Sequence, residues 1–221
     1  MVYFGRVKHK PSFKIEKELV KKGYTVIGVD EVGCGCLAGP VVAAAVHLPL
    51  NSRIGGINDS KLLKAEKREE LFERLTKLGV RFAVGAASPQ EIDKLNIRRA
   101  TLLAMQRAIN AFVEVGASAR ESFIASPSFF ALVDAWTVPG IEIPQRGIIH
   151  GDRIVKSIAA ASIIAKVVRD RLMLLWDAEY EGYFFAKHKG YGTELHRAVL
   201  KKLGQTPIHR KTFLKGTIEL K

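Results

Sequence analysis

The chain has 221 residues, 48% of them hydrophobic and 26% charged, enough to bury a single core without disulfide staples. Lys and Arg total 35 against 22 Asp and Glu, a formal charge of +13 with a pI of about 9.8, and such an excess favours a polyanionic partner through phosphate neutralisation. These values exclude a low-complexity chain, a zinc or disulfide framework built on two cysteines, and a membrane span, because the longest apolar stretch, near Ile158–Ala165, is short and flanked by Lys156 and Lys166.

Met1 to Lys22 is basic and mixed with no apolar core of its own, so no signal peptide is expected and a cytoplasmic location is. The stretch reads as helical from Lys14 to Lys22 and is broken by Gly23. Tyr24–Asp30 predicts a first strand, and Pro40–Leu48 a second that returns after a tight glycine turn. Asp59-Ser60-Lys61 opens an amphipathic helix, with Ser60 as N-cap and Leu63, Leu71, Leu75 and Leu78 on its apolar side. Val80–Ala87 is a third strand. Ser88-Pro89-Gln90-Glu91 has the form of a capping box with proline in the first turn. A long helix then runs near Arg98–Val115, its inner stripe Leu102, Met105, Ile109 and Phe112 at helical spacing. Ser128–Asp134 is a buried strand ending in a carboxylate, and Gly147–His150 a short extended stretch. A second long helix, about Arg153–Trp176, carries small residues at Ala159–Ala161 that permit close packing on a sheet. The tail holds Lys187–Thr193, a helix from Thr193 to Leu203, and the basic run His209-Arg210-Lys211. Strands followed by helices alternating with further strands indicate a mixed α/β domain around one sheet.

The densest chemistry is Gly28-Val29-Asp30-Glu31-Val32-Gly33-Cys34-Gly35. Neighbouring side chains on a strand point to opposite faces, so Asp30 and Glu31 cannot both enter the core, and bare glycine N–H groups follow at once. If the first and fourth strands are parallel neighbours, Asp134 arrives at the same sheet edge, where open α/β sheets bind ligands, and Asp152 begins the next helix close by. Four carboxylates together repel one another unless cations hold them. Hard oxygen ligands favour Mg²⁺ or Mn²⁺, and two such ions would activate water and stabilise the leaving oxygen of a phosphodiester.

Seven motifs in order resemble the ribonuclease HII family (type 2 ribonuclease H). They are Gly28–Glu31 with Ala38–Ala44, Asp59-Ser60-Lys61, Leu132-Val133-Asp134, Gly151-Asp152, Ser157–Asp170, His188–Tyr191 and His209-Arg210-Lys211. The resemblance implies an α/β ribonuclease H-like fold, a five-stranded mixed sheet flanked by helices, with a helical C-terminal extension. It divides the chain into a basic lead-in (1–22), a catalytic domain (23–180) and an extension packed on it (181–221). It implies a monomeric, metal-dependent endonuclease that cleaves RNA in RNA–DNA hybrids. It further implies incision 5′ of ribonucleotides embedded in duplex DNA, leaving 5′-phosphate and 3′-hydroxyl ends. The family's acidic tetrad maps onto Asp30, Glu31, Asp134 and Asp152 as catalytic residues and metal ligands, with Mg²⁺ or Mn²⁺ in a two-metal mechanism. The 2′-hydroxyl marks a ribonucleotide, and the family reads it with the glycine loop, here Gly33-Cys34-Gly35, and a tyrosine matching Tyr191. Lys61, Lys166 and Arg169 are candidate phosphate contacts, with Lys187 and Lys189 behind them, and Asp170 is expected to pair with a basic neighbour.

The chain departs from the family at one place. Gly33-Cys34-Gly35-Cys36 stands where Gly-Arg-Gly-Pro is usual, removing a guanidinium and a fixed φ angle. Weaker binding or reduced junction discrimination is expected, and two thiols in one loop raise the idea of oxidation sensitivity. Ribonuclease HIII, which cleaves hybrids but not single ribonucleotides efficiently, often has a non-Arg residue here. Against it, that family usually has Glu where this chain has Asp152, and carries an N-terminal substrate-binding domain, whereas 29 residues precede Asp30. A catalytically dead hybrid-binding module is the remaining reading, and it gives no reason to cluster negative charge beside phosphate.

Overall fold

The computed structural model describes residues 10–118 and 128–215, so the first nine residues of the basic lead-in and the last six of the extension lie outside the described residues. Five strands, β1 (Tyr24–Val32), β2 (Val41–His47), β3 (Arg81–Ala87), β4 (Ser128–Asp134) and β5 (Gln145–Ile148), form one sheet in the order β3-β2-β1-β4-β5. β1 pairs antiparallel with β2 and β2 with β3, whereas β1–β4 and β4–β5 are parallel. The eight helices described are α1 (Lys14–Val20), α2 (Ala65–Lys77), α3 (Pro89–Leu95), α4 (Ile97–Ser118), α5 (Lys156–Glu179), α6 (Phe185–His188), α7 (Glu194–Leu203) and α8 (Lys211–Leu214). No helix among the described residues is long and apolar enough to cross a membrane.

Strand alternation divides the core in two. Ile27 and Val29 of β1 and Val41, Ala43 and Ala45 of β2 face Ala104, Met105, Ala108 and Ile109 of α4. Val42, Ala44 and Val46 face the opposite side, against α2 and the small-residue stripe Ala159–Ala161 of α5. Gly28 sits on that second face, where a Cβ would lie 2.2 Å from the Ser157 carbonyl carbon. The start of α5 therefore seats against bare backbone, and this close approach brings α5 to the end of β1 that carries Asp30.

Several boundaries differ from the sequence expectation for physical reasons. β1 continues two residues past Asp30, because β2 keeps pairing with it as far as Val32 opposite Val42. Ser60 is not an N-cap: residues Ser60–Leu62 form a 3-10 turn capped by Asp59, whose carboxylate accepts the Lys61 N–H, while the Ser60 hydroxyl bonds Ser162. α2 then begins at Ala65, burying Leu71 and Leu75 but leaving Leu78, past its last turn, 64% exposed. Gly151–Arg153 is likewise a 3-10 turn, and α5 starts only at Lys156. The Ser88 capping box is present in full, with Glu91 returning to the Ser88 N–H. In the α4 stripe Met105, Ile109 and Phe112 are buried, and Leu102 is half-buried.

Gly28→Ala should force α5 off the sheet and cost about 1–3 kcal/mol, the usual range for overpacking a core. A urea midpoint shift against wild type measures it.

Candidate metal centre and glycine loop

The parallel register of β1 and β4 pairs Val29 with Val133, so the next residue on each strand, Asp30 and Asp134, emerges at the same edge. Glu31, one residue on, takes the α4 side. Ligand oxygens of Asp30, Glu31 and Asp134 lie within 4.8 Å of one another. Asp30 accepts the Glu31 N–H at 2.8 Å, and Asp134 accepts the Gly151 N–H at 2.6 Å, which fixes both carboxylates. The Glu31 Oε2 is buried without a hydrogen-bond partner.

Burial and mutual repulsion push these groups upward. Desolvation, then the Glu31 and Asp134 charges, raise Asp30 well above the usual carboxylate range. Glu31 is raised by burial and by Asp134, and Asp134 mainly by burial. A buried carboxylate set with an unpartnered oxygen is a poor resting place for protein atoms alone and a good one for a hard divalent cation. Asp152 is buried in the 3-10 turn facing Asp134, and its pKa is raised by burial, then by Asp59 and Asp134. It stands outside the three-residue set. Lys61 adds the balancing charge: the carboxylates of Asp30, Asp59, Asp152 and Glu31 all hold its ammonium more firmly protonated against partial burial.

The loop after β1 is stitched to the C-terminal segment on both sides. Leu37 N–H donates to the Gly190 carbonyl and Arg210 N–H to the Leu37 carbonyl, and Gly39 N–H donates to the Ile208 carbonyl. Bridges Cys36–Tyr191 and Ala38–His209 continue the stitching. Gly33 and Gly35 differ in why they are glycine. Gly33 has φ +94°, and a Cβ there would lie 2.3 Å from the Arg169 Nε. Gly35 is exposed, has no left-handed φ, and a Cβ would meet nothing within 4 Å. The fold itself does not require glycine at 35; close approach by another molecule would.

Tyr191 is 37% exposed, with its ring backed by the Lys166 ammonium at 5.3 Å and the Arg169 guanidinium at 5.8 Å. Burial, first, holds its hydroxyl up to about 12, so it stays protonated. Arg169 is not available to phosphate as expected. It is fully buried and donates to the carbonyls of Pro40, Ala38 and Lys189, because a guanidinium enclosed by loop backbone spends its donors there. Lys166 pairs with Asp170 at 2.7 Å, and Arg68 reaches the same carboxylate, so Asp170 anchors α5 to its basic neighbours. Lys187 is exposed over Phe184, and Lys189 bonds the Ala186 carbonyl. The thiols lack the exposed, low-pKa character that oxidation sensing needs. Cys36 is fully buried, and Cys34 is pushed up to about 11 by burial while its thiol faces Glu31 and Thr101.

Two residues of the matched motifs to which the sequence alone assigns no role act as supports. Asp59 is fully buried, caps the turn that carries Lys61 and takes an ion pair from Arg153. Arg210, also fully buried, donates to the carbonyls of Gly33, Cys34 and Gly39. An Asp before a turn and an Arg after His209 signal nothing alone, since both act on residues distant in the chain. Behind Tyr191, His188, His196 and His209 form a buried cluster: His196 bonds the Tyr191 carbonyl and meets His209 at 3.0 Å, and His188 stacks on His196 at 4.0 Å.

A family model described as ribonuclease HII matches residues 27–216. The ribonuclease HII of Desulfitobacterium hafniense (strain Y51) is 49% identical over 199 residues, covering 90% of this chain and 72% of that protein. That of Alkaliphilus metalliredigens (strain QYMF) is 46% identical over 207 residues, covering 93% and 98%. Among solved structures, the PCNA–ribonuclease HII complex from Archaeoglobus fulgidus aligns with a TM-score of 0.64 at 26% identity, covering 85% of this chain and 94% of that one.

Gly35→Ala should leave stability within about 0.5 kcal/mol of wild type and raise KM, whereas Gly33→Ala should lower stability by about 1–3 kcal/mol; thermal melts beside steady-state kinetics separate the two. The histidine cluster predicts a pH effect. Burial lowers His196 and His209 to about 4, below the unfolded value of about 6.5, so their contribution is complete above that value and is lost as pH falls toward 4. The raised carboxylates act in the opposite sense, so the comparison is with His209→Gln, which leaves them untouched. Between pH 7.5 and 5.5 the stability difference between wild type and His209→Gln should shift against wild type by about 1 kcal/mol, read from urea midpoints.

Proposed function

Because the chain belongs to the ribonuclease HII family, and is thus a ribonuclease H endonuclease acting on RNA–DNA substrates, we propose that it cleaves hybrids and incises 5′ of ribonucleotides embedded in duplex DNA. The observation that carries the proposal is the Asp30–Glu31–Asp134 cluster set directly against a loop whose exposed Gly35 has no reason within the fold to lack a side chain.

Asp30, Glu31 and Asp134 would hold divalent metal, Mg²⁺ or Mn²⁺, with Asp152 contributing negative charge from the facing turn. Metal bound there supplies charge compensation for the attacking and leaving oxygens of the phosphodiester. The protein's own groups do the rest. Lys61, kept charged by the surrounding carboxylates, attracts the phosphate flanking the scissile bond. The loop backbone at Gly33, Cys34 and Gly35 approaches the ribose and its 2′-hydroxyl. The Tyr191 ring, stiffened by the cations behind it, packs on the neighbouring deoxyribose and so senses the RNA-to-DNA junction. Water adds to phosphorus as the bond to the 3′ oxygen breaks, giving 5′-phosphate and 3′-hydroxyl ends.

Hybrid-only cleavage is a second reading, favoured by one observation: the Cys34 side chain donates to Glu31 and offers no cation to phosphate. Assaying a duplex with one embedded ribonucleotide beside a uniform hybrid, with each metal, decides between them; cleavage of the hybrid alone overturns the first. Asp134→Asn should reduce cleavage of both substrates by about 100-fold or more while duplex binding stays within about threefold of wild type. Equal cleavage by the variant would remove Asp134 from the chemistry.

A further inference from the structure

The buried guanidinium of Arg210 makes three hydrogen bonds, all to one loop: to the carbonyls of Gly39 at 2.9 Å, Cys34 at 3.0 Å and Gly33 at 2.7 Å. Among the described residues it has no carboxylate within ion-pair distance, and neither has the neighbouring Arg169, which grips Pro40, Ala38 and Lys189. Two buried cations thus face backbone oxygens rather than acids, so their geometric effect is to turn peptide planes.

A trans peptide is planar, and its C=O and N–H point in opposite directions. With the Gly33 and Cys34 carbonyls drawn to Arg210, the N–H groups of Cys34 and Gly35 point to the other side of the loop. Neither N–H has a protein partner among the described residues, while the Cys36 N–H turns back to Gly33. The Cys34 thiol, 3.8 Å from the Glu31 carboxylate, places this strip of the loop beside the acidic cluster. Arg210 is itself fixed from outside: Asp93 of α3 accepts the N–H groups of Lys211 and Thr212 that follow it.

Resting on the reading of the glycine loop given above, we propose that Arg210 is a positioning residue for sugar discrimination, orienting the Cys34 and Gly35 N–H groups as the donors that meet the ribose and its phosphate. It touches no substrate. In a chain whose loop lacks a side-chain cation at position 34, recognition falls to backbone donors, and Arg210 fixes their direction.

The test compares kcat/KM on a single-ribonucleotide duplex and on a uniform RNA–DNA hybrid for wild type, Arg210→Met, Arg210→Lys and Leu71→Ala. Leu71 is buried in α2 and reports the effect of lost stability alone, with melts matching the variants. Arg210→Met should lose about tenfold more activity on the single ribonucleotide than on the hybrid, chiefly in KM. Arg210→Lys, which keeps the charge but not the fork, should recover part of that ratio. Leu71→Ala should leave the ratio unchanged. Equal losses of Arg210→Met on both substrates overturn the proposal, and if that variant does not fold, an unchanged ratio in Arg210→Lys does so. Failure of the underlying reading is seen in wild type alone, as hybrid cleavage without incision at the single ribonucleotide, and the proposal falls with it.

Discussion

Parallel pairing between β1 and β4 is the constraint on which the rest of the molecule depends. It forces Asp30 and Asp134 to leave the sheet side by side, although their charges repel and burial penalises both. Antiparallel pairing of the same strands would have sent the two carboxylates to opposite ends of the sheet. The apolar residues beneath them, Ile27, Val29, Ala131 and Val133, fix the register by filling the face toward α4, and a one-residue slip would turn them out of the core. Packing energy therefore holds an electrostatically unfavourable cluster in place, as functional sites commonly require.

A second layer is built from backbone and two arginines. Residues 33–40 form no regular strand, yet their carbonyls are gripped from below and their edges are bridged by residues 190–191 and 208–210. A loop held at so many points behaves as part of the scaffold. The segment following α5 acts as the outer wall of this loop, and it sets the Tyr191 ring in the same rigid unit as Gly35. The acidic cluster and the glycine loop thus share a wall at Glu31 and Cys34 but are positioned by different interactions, one by sheet register and the other by guanidinium hydrogen bonds.

Much of this was legible in the chain. The strands, the capping box at Ser88 and the stripe of α4 follow from local periodicity, and a carboxylate ending an apolar run marked Asp30 and Asp134. The structure brings Asp30, Glu31 and Asp134 together as strand ends in parallel register predict, and leaves Asp152 on the facing turn outside that set. Arg169 does not serve as the expected phosphate contact: an arginine on a helix reads the same in sequence whether it faces solvent or loop carbonyls, and only its burial distinguishes them. Arg210 and Asp59 stand in matched motifs, yet their roles are not legible in sequence, since Arg210 grips residues 33–39 and Asp59 pairs with Arg153, all distant along the chain. The residues at Ser60 and Asp152 read in sequence as helix starts, but each belongs to a 3-10 turn that stops short of the following helix, the first capped by Asp59 and the second entered through His150 without a side-chain cap.

The stitching of the glycine loop to the tail has a consequence for how the protein is made. Arg210 and Gly33 are 177 residues apart in sequence, so closing this contact waits until residue 210 has been made. During synthesis the sheet and the acidic residues of β1 exist well before their loop has anything to grip it. The glycine loop therefore takes its final shape only after the carboxylates of β1 and β4 are already in place.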